Sequence, residues 1–280
     1  MKEEIIEKEG ELLNYLLNKF NKMSRNNVKN LLKKEQIVVN GKVITQFNYM
    51  LKKGDKISFD GKRSENGLKI IYEDDLFLAI DKVHNLLTVA SDHEKEKTAF
   101  VQVSKYVKQK NGRNKIFVLH RLDKDTSGVL IFCKDEKIKN DLQDKWNDIV
   151  TKREYIAVVE GKIEKKEGEI RSYLKEDLKS KMVYPTSNEN GKLAITKYKV
   201  LKQNDKYSLI KVELLTGRKN QIRVHFKELR HPLVGDKKYG AVSDPLKRLC
   251  LHASEITFEY EKKEYLFKSK RSNIFDSLIK

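Results

Sequence analysis

The sequence predicts an α+β protein built on a mostly antiparallel mixed sheet, with a small basic α/β module at its N-terminus. Three observations lead there. After residue 70, seven short apolar runs rich in strand formers stand against three helical patterns. Strands and helices do not alternate strictly, as a sheet built from βαβ units would require. Before residue 60 the pattern is helical first and hairpin-like afterwards, which sets that stretch apart as a unit of its own.

In the N-terminal unit, Leu12, Leu13, Tyr15, Leu16, Leu17 and Phe20 make one apolar helical segment. Ser24 suits the cap of a second helix running to about residue 35, with Val28, Leu31 and Leu32 turned to a core. Arg25, Lys29 and Lys33 recur every four residues on that helix and share one face. Val38-Val39-Asn40-Gly41-Lys42-Val43-Ile44 then carries the Asn-Gly pair favoured in tight hairpins. Residues 18–60 hold ten basic side chains against three acids, an excess that favours phosphate contacts over an ordinary solvated face. Residues 61–68 read as a linker, because the stretch from Asp60 to Gly67 has no apolar residue.

Beyond it, strands are expected at 77–80, 116–119, 129–133, 155–159, 194–200, 207–215 and 256–260. Helices are expected at 98–108, 136–146 and 221–229. Lys and Arg number 59 against 41 Asp and Glu, a net charge of +18 that attracts polyanions, with nucleic acid ahead of a membrane surface. No apolar run approaches the length that crosses a bilayer. The first nine residues lack the apolar core of a secretory signal, so a cytoplasmic protein is expected. Cys133 and Cys250 stand among apolar neighbours and read as small core side chains.

The most telling stretch is His120-Arg121-Leu122-Asp123-Lys124-Asp125-Thr126-Ser127-Gly128, a charged turn clamped between Val118-Leu119 and Val129-Leu130-Ile131-Phe132. An ionisable cluster at the mouth of buried strands is where a perturbed carboxylate would be built, although charged turns without a chemical job are commoner. Further segments follow in order. They are Leu78-Ala79-Ile80-Asp81-Lys82, Lys152-Arg153-Glu154-Tyr155, the run from Thr216 to His225, His231-Pro232-Leu233-Val234-Gly235-Asp236 and Leu251-His252-Ala253. Together they resemble the RluA-type pseudouridine synthases over about residues 70–258. The N-terminal unit resembles the small RNA-binding domain named after ribosomal protein S-four.

The resemblance implies an RNA-binding domain at 1–60, the linker at 61–68 and a catalytic domain at 69–280, with a cleft across the middle of the sheet. Pseudouridine formation breaks the glycosidic bond of a uridine within RNA, turns the base and rejoins it through a ring carbon. Nothing is oxidised and no phosphate is cleaved, so neither cofactor nor metal is expected. In keeping with that, the sequence has no Walker-type loop, dinucleotide-binding glycine pattern or close His or Cys pair. The resemblance puts the catalytic carboxylate on Asp123, acting as nucleophile or by stabilising positive charge on the sugar. It puts Arg223, next to Ile222, beside that carboxylate, where a guanidinium can grip both oxygens. Removal of Arg223 is expected to abolish activity and spare the fold.

Tyr155 is implied to lie against the uracil, Arg121 to enter RNA recognition, and His120 to orient the loop by hydrogen bonding. Ribosomal RNA is the first expected substrate and transfer RNA the second, with no obligate protein partner. Three places depart from the family pattern: Asn220 where His is common, Val83-His84-Asn85 after Lys82, and Glu259-Tyr260. The competing readings are a non-catalytic RNA-binding or ribosome-assembly factor on the same fold, and a magnesium-dependent phosphoryl-transfer enzyme. Two neighbouring carboxylates, Asp123 and Asp125, are too few ligands for the latter.

Overall fold

A computed structural model describes residues 3–20, 24–33, 37–40, 42–59, 68–92, 94–187, 190–269 and 273–279. The chain divides into two compact units, Met1–Ile70 and Ile71–Lys280. Most of the expected linker lies outside the described residues.

The first unit runs β1 (Glu3–Ile5), β2 (Gly10–Glu11), α1 (Leu12–Lys19), α2 (Arg25–Lys33), β3 (Ile37–Val39), β4 (Lys42–Val43), β5 (Met50–Leu51) and β6 (Lys56–Phe59). Its larger sheet has the order β1-β6-β3-β4, while β2 pairs with β5. Leu12, Leu13 and Leu16 of α1 pack with Val28 and Leu32 of α2 against Ile37, Val39, Leu51 and Ile57, so the helical apolar stripes meet the inner faces of the strands. Ser24 caps α2 by accepting the amide of Asn27 at 3.3 Å. Asn40 takes a positive φ of 49° at the hairpin turn, and its side chain bonds Asp55 and the amide of Lys56.

The second unit continues with β7 (Ile70–Glu73), β8 (Phe77–Lys82), α3 (Ala99–Lys110), β9 (Phe117–Val118), β10 (Ser127–Cys133), α4 (Glu136–Asp144), α5 (Trp146–Ile149) and β11 (Val150–Glu160). After these come β12 (Glu167–Glu176), β13 (Val183–Thr186), β14 (Lys192–Gln203), β15 (Tyr207–Leu214), α6 (Gln221–Glu228), β16 (Leu251–Tyr260) and β17 (Lys263–Lys268). Eleven strands of the described residues form one sheet, ordered β13-β12-β14-β15-β11-β16-β10-β8-β7, with β17 added on β16 and β9 on β10. Most neighbours run antiparallel, and β10 with β16 is parallel. The α+β class and mostly antiparallel mixed sheet are those expected.

The helix expected over 136–146 stops at Asp144 and restarts at Trp146. The Trp146 ring stacks on His120 and packs against Phe258, contacts that hold the chain to the sheet at the break. Strands β12 and β17 were not expected, because each buries only two side chains (Ile170 and Leu174, Tyr265 and Phe267) among charged ones. Cys133 and Cys250 are buried free thiols, as expected of core residues.

Candidate active site

The centre of the large sheet positions the site by register. Tyr155 on β11 pairs with Ala253 on β16, and Ala253 pairs with Gly128 on β10. The loop that ends at Gly128 is thereby delivered beside Tyr155, two strands away. Gly128 has a φ of +118°, and a Cβ there would lie 2.1 Å from the Ala253 carbonyl oxygen. Its role is to let two parallel strands approach.

The loop before β10 is pinned from below. Thr88 Oγ1 donates to the Leu122 carbonyl at 2.8 Å and accepts the Leu122 amide at 3.2 Å. Lys82, buried at the end of β8, donates to the carbonyls of Val83, Leu86 and Lys124 at 3.1, 2.7 and 3.1 Å. Burial pushes the Lys82 ammonium down to about 8, against the pull of Asp123 and Asp125. The two residues flanking Asp123 are therefore fixed through their backbone. Neither Lys82 nor Thr88 has a role that sequence reading assigns. The available signal was a charged residue closing the strand pattern Phe77-Leu78-Ala79-Ile80.

Asp123 is half-buried and faces a cleft of about 910 Å³. Its carboxylate accepts no hydrogen bond among the described residues. Burial raises its pKa, and the charges of Arg223, Lys219 and Lys82 oppose that rise. His120, Arg121, Tyr155, Ile222 and Arg223 line the same cleft. Six cations (Arg121, Lys124, Arg153, Arg218, Lys219, Arg223) face three carboxylates there (Asp123, Glu176, Glu255), a bias that suits an anionic ligand.

Arg121 is exposed at this surface. His120 Nε2 accepts the Ile131 amide at 3.2 Å, and burial together with the Arg153 charge holds its ring down at about 4, so it is neutral. Burial pushes the Tyr155 hydroxyl up to about 12, which keeps it protonated. The bare carboxylate, the protonated phenol and the guanidinium thus come from a loop, a strand and a helix, and converge on one cavity.

One expected contact takes a different form. Arg223 makes its two-pronged grip on Asp236, not on Asp123: Nε and Nη2 donate to the two oxygens of Asp236 at 2.7 and 2.6 Å. Its charge acts on Asp123 through space. Nor does Arg223 face solvent; it is 7% exposed, so its removal would strand a buried carboxylate and cost stability. Gln221 holds the turn into α6 with four bonds, accepting from Thr216 Oγ1 and the Arg218 amide and donating to the Ile195 carbonyl and Thr196 Oγ1.

Arg25 and Lys29 lie far along the chain from this cleft, exposed on α2 of the first unit, where Lys29 Nζ sits 5.1 Å from the Phe47 ring centre. The side chain of Lys33 lies outside the described residues.

The sheet carries a cleft with an excess of cations and an unbonded carboxylate, a lining suited to a polyanionic ligand. The comparisons with known proteins make the class specific. The profile described as RNA pseudouridylate synthase matches residues 76–228. An uncharacterised RNA pseudouridine synthase of Bacillus subtilis is 34% identical over 259 residues, covering 89% of this chain and 85% of the relative. Ribosomal large subunit pseudouridine synthase C of Rickettsia felis is 36% identical over 231 residues, 79% of this chain and 73% of the relative. The tRNA pseudouridine synthase C of Vibrio vulnificus is 31% identical over 234 residues, 76% of this chain and 94% of the relative. The solved structure of human RNA pseudouridylate synthase domain containing 4 shares the fold, with a TM-score of 0.61 at 20% identity over 72% of this chain and 88% of that one. The chain belongs to the RNA pseudouridylate synthase family, and is an isomerase that converts uridine in RNA to pseudouridine.

Proposed function

We propose that Asp123 performs this isomerisation on a uridine of ribosomal RNA, with Tyr155 and Arg223 completing the site. The observation that carries the reading is the Asp123 carboxylate, left without a hydrogen bond and open to a cleft of positive bias. The reaction breaks the bond from N1 of uracil to C1′ of the sugar and forms one from C5 to C1′. The C5 proton departs and N1 gains one, so atoms and charge balance. A carboxylate at C1′ forms the transient bond to the sugar or stabilises its positive charge. The Tyr155 ring offers a face for the turned base, and its hydroxyl, protonated at neutral pH, is a hydrogen-bond donor.

Arg121, exposed at the same cleft, fills the gap left in the RNA stack or pairs with phosphate. Neutral His120 holds the loop. Ile222 forms part of the apolar lining beneath the base. The first unit acts as an S-four-like RNA-binding domain, with Arg25, Lys29 and Lys33 meeting phosphates. Ribosomal RNA is favoured by relatives named for the large ribosomal subunit, and transfer RNA stands second on the Vibrio relative. Both substrates suit a cytoplasmic enzyme. Mapping pseudouridine across total RNA from cells with and without the gene tests the reading. One or more ribosomal sites should revert to uridine on deletion, and identical maps would refute it.

A further inference from the structure

Five polar side chains are linked in series from the exit of the loop that carries Asp123. Arg248 Nη2 donates to Ser127 Oγ at 2.7 Å, and Ser127 Oγ lies 2.8 Å from His252 Nδ1. His252 Nε2 lies 2.9 Å from Ser269 Oγ, which donates to Asp81 Oδ2 at 3.0 Å. Ser127 opens β10, His252 lies on β16, Ser269 follows β17 and Asp81 lies on β8. Arg248 is half-buried and the other four are buried.

The direction of the chain follows from its ends. A guanidinium only donates and a carboxylate only accepts. Among the described residues the Ser127 hydroxyl has two partners, Arg248 and His252. It accepts from the first, so its own proton goes to His252 Nδ1. That nitrogen must then be bare, which puts the ring proton on Nε2, facing Ser269. Ser269 accepts it and directs its own proton at Asp81. Every bond thus points from the arginine to the aspartate, and the neutral Nε2–H form of His252 completes it. A proton on Nδ1 would set two donors against Ser127 and leave its hydroxyl proton without an acceptor among the described residues, which is costly at a buried group.

The backbone ladder that this chain reinforces is short. Strands β10 and β16 share two register pairs, Ser127 with His252 and Gly128 with Ala253. Ala253 is in turn the partner of Tyr155 on β11. Upstream of Ser127, the Thr126 amide donates to the Asp123 carbonyl at 3.2 Å and closes the turn after the carboxylate. Thr88 and Lys82 hold the loop at Leu122 and Lys124, and His252 supplies a third fixed point where the loop enters β10. We propose that His252, as the neutral Nε2–H tautomer, is a positioning residue that sets the place of Asp123 relative to Tyr155 through Ser127. This rests on Asp123 being the reacting group.

Two readouts test it. Nitrogen-15 NMR of histidine-labelled protein, with the His252 signals assigned through the His252 variants or by their shift in Ser127→Ala, should show a bare Nδ1 and a protonated Nε2. A protonated Nδ1 would overturn the proposal. The second readout is tritium release from total RNA of a gene-deleted strain, labelled with tritium at uridine C5, with kcat and apparent KM measured separately. An asparagine oxygen stands in for Nδ1 and accepts from Ser127, whereas a glutamine amide reaches the Nε2 position and serves Ser269. Misplacing a reacting group by about an ångström costs on the order of 10²-fold. His252→Gln and Ser127→Ala should therefore each lower kcat by about that factor, with KM within ~2-fold. His252→Asn should recover about tenfold of the loss, although it leaves the larger void. A brace acting only through packing would make glutamine the better replacement. A glutamine variant as fast as the asparagine one or faster, or losses that follow the unfolded fraction in a melt, would overturn the proposal. If neither His252 variant folds, Ser127→Ala, which removes one oxygen, decides by its kcat. A wild-type protein that releases no tritium refutes the activity itself, and an Asp123→Asn protein as fast as wild type refutes the reading of Asp123. An inactive Asp123→Asn beside His252 variants at wild-type speed refutes only the positioning role.

Discussion

Two carboxylates share the field of Arg223, and the molecule treats them in opposite ways. Asp236 is fully buried, accepts both prongs of the guanidinium and also takes the Tyr239 amide. The Asp123 carboxylate opens on the cleft, accepts no hydrogen bond among the described residues, and has its pKa raised by burial. A buried charge with its bonding capacity filled is structural, since removing its partner costs more than the pair contributed. A carboxylate partly stripped of water and given no partner is costly to fold around, and such groups gather where chemistry is done. The difference supports the proposed assignment of the reactive carboxylate to Asp123 more sharply than charge or motif alone.

The largest effect expected from disturbing this contrast is at Arg223. Arg223→Ala removes the through-space cation from Asp123 and strands Asp236 at once. Activity should fall about 10³-fold, and stability should drop by about 3–5 kcal/mol, read by denaturant unfolding beside tritium release. Unchanged stability would show that Asp236 does not depend on the pair.

Tyr155→Phe is the next step down. It keeps the ring and removes a hydroxyl that burial holds at about 12. The loss should be about 10²-fold, and the wild-type rate profile should show no tyrosine limb near neutral pH. A variant as fast as wild type would reduce Tyr155 to a stacking surface.

Lys82→Met is the smallest and tests the floor of the site. Burial holds Lys82 at about 8, below its usual 10.5, so folding buries a charge at neutral pH that it no longer buries once the lysine is deprotonated. Stability contributed by Lys82 should therefore grow between those two values. The Tm of wild type relative to Lys82→Met should climb over that range, and parallel curves would contradict the shift.

Much of the fold was legible because most of its strands carry a short apolar run. Six of the seven expected runs fall on strands of at least six residues, and α3 and α6 lie within two residues of where periodicity put them. Strands β12 and β17 were hidden because they carry too few buried side chains to stand out from a chain that is 36% charged. The residues of the cleft could be named from motifs, yet their partners could not. Asp236 lies 13 positions from Arg223, and Thr88 lies 34 from Leu122. No periodicity encodes contacts made by chain reversal. Asn220 shows the limit best: read as a departure from a pattern, it is in the structure the joint between Tyr239 and Arg223.

The most direct measurement is tritium release by Asp123→Asn protein whose folding is verified by its melt. A carboxyl with a raised pKa favours folding only while protonated, so at neutral pH its charge costs stability and asparagine should raise Tm. The account predicts a protein at least as stable as wild type with no detectable release from C5-labelled RNA. Release at or near the wild-type rate from that variant would contradict it.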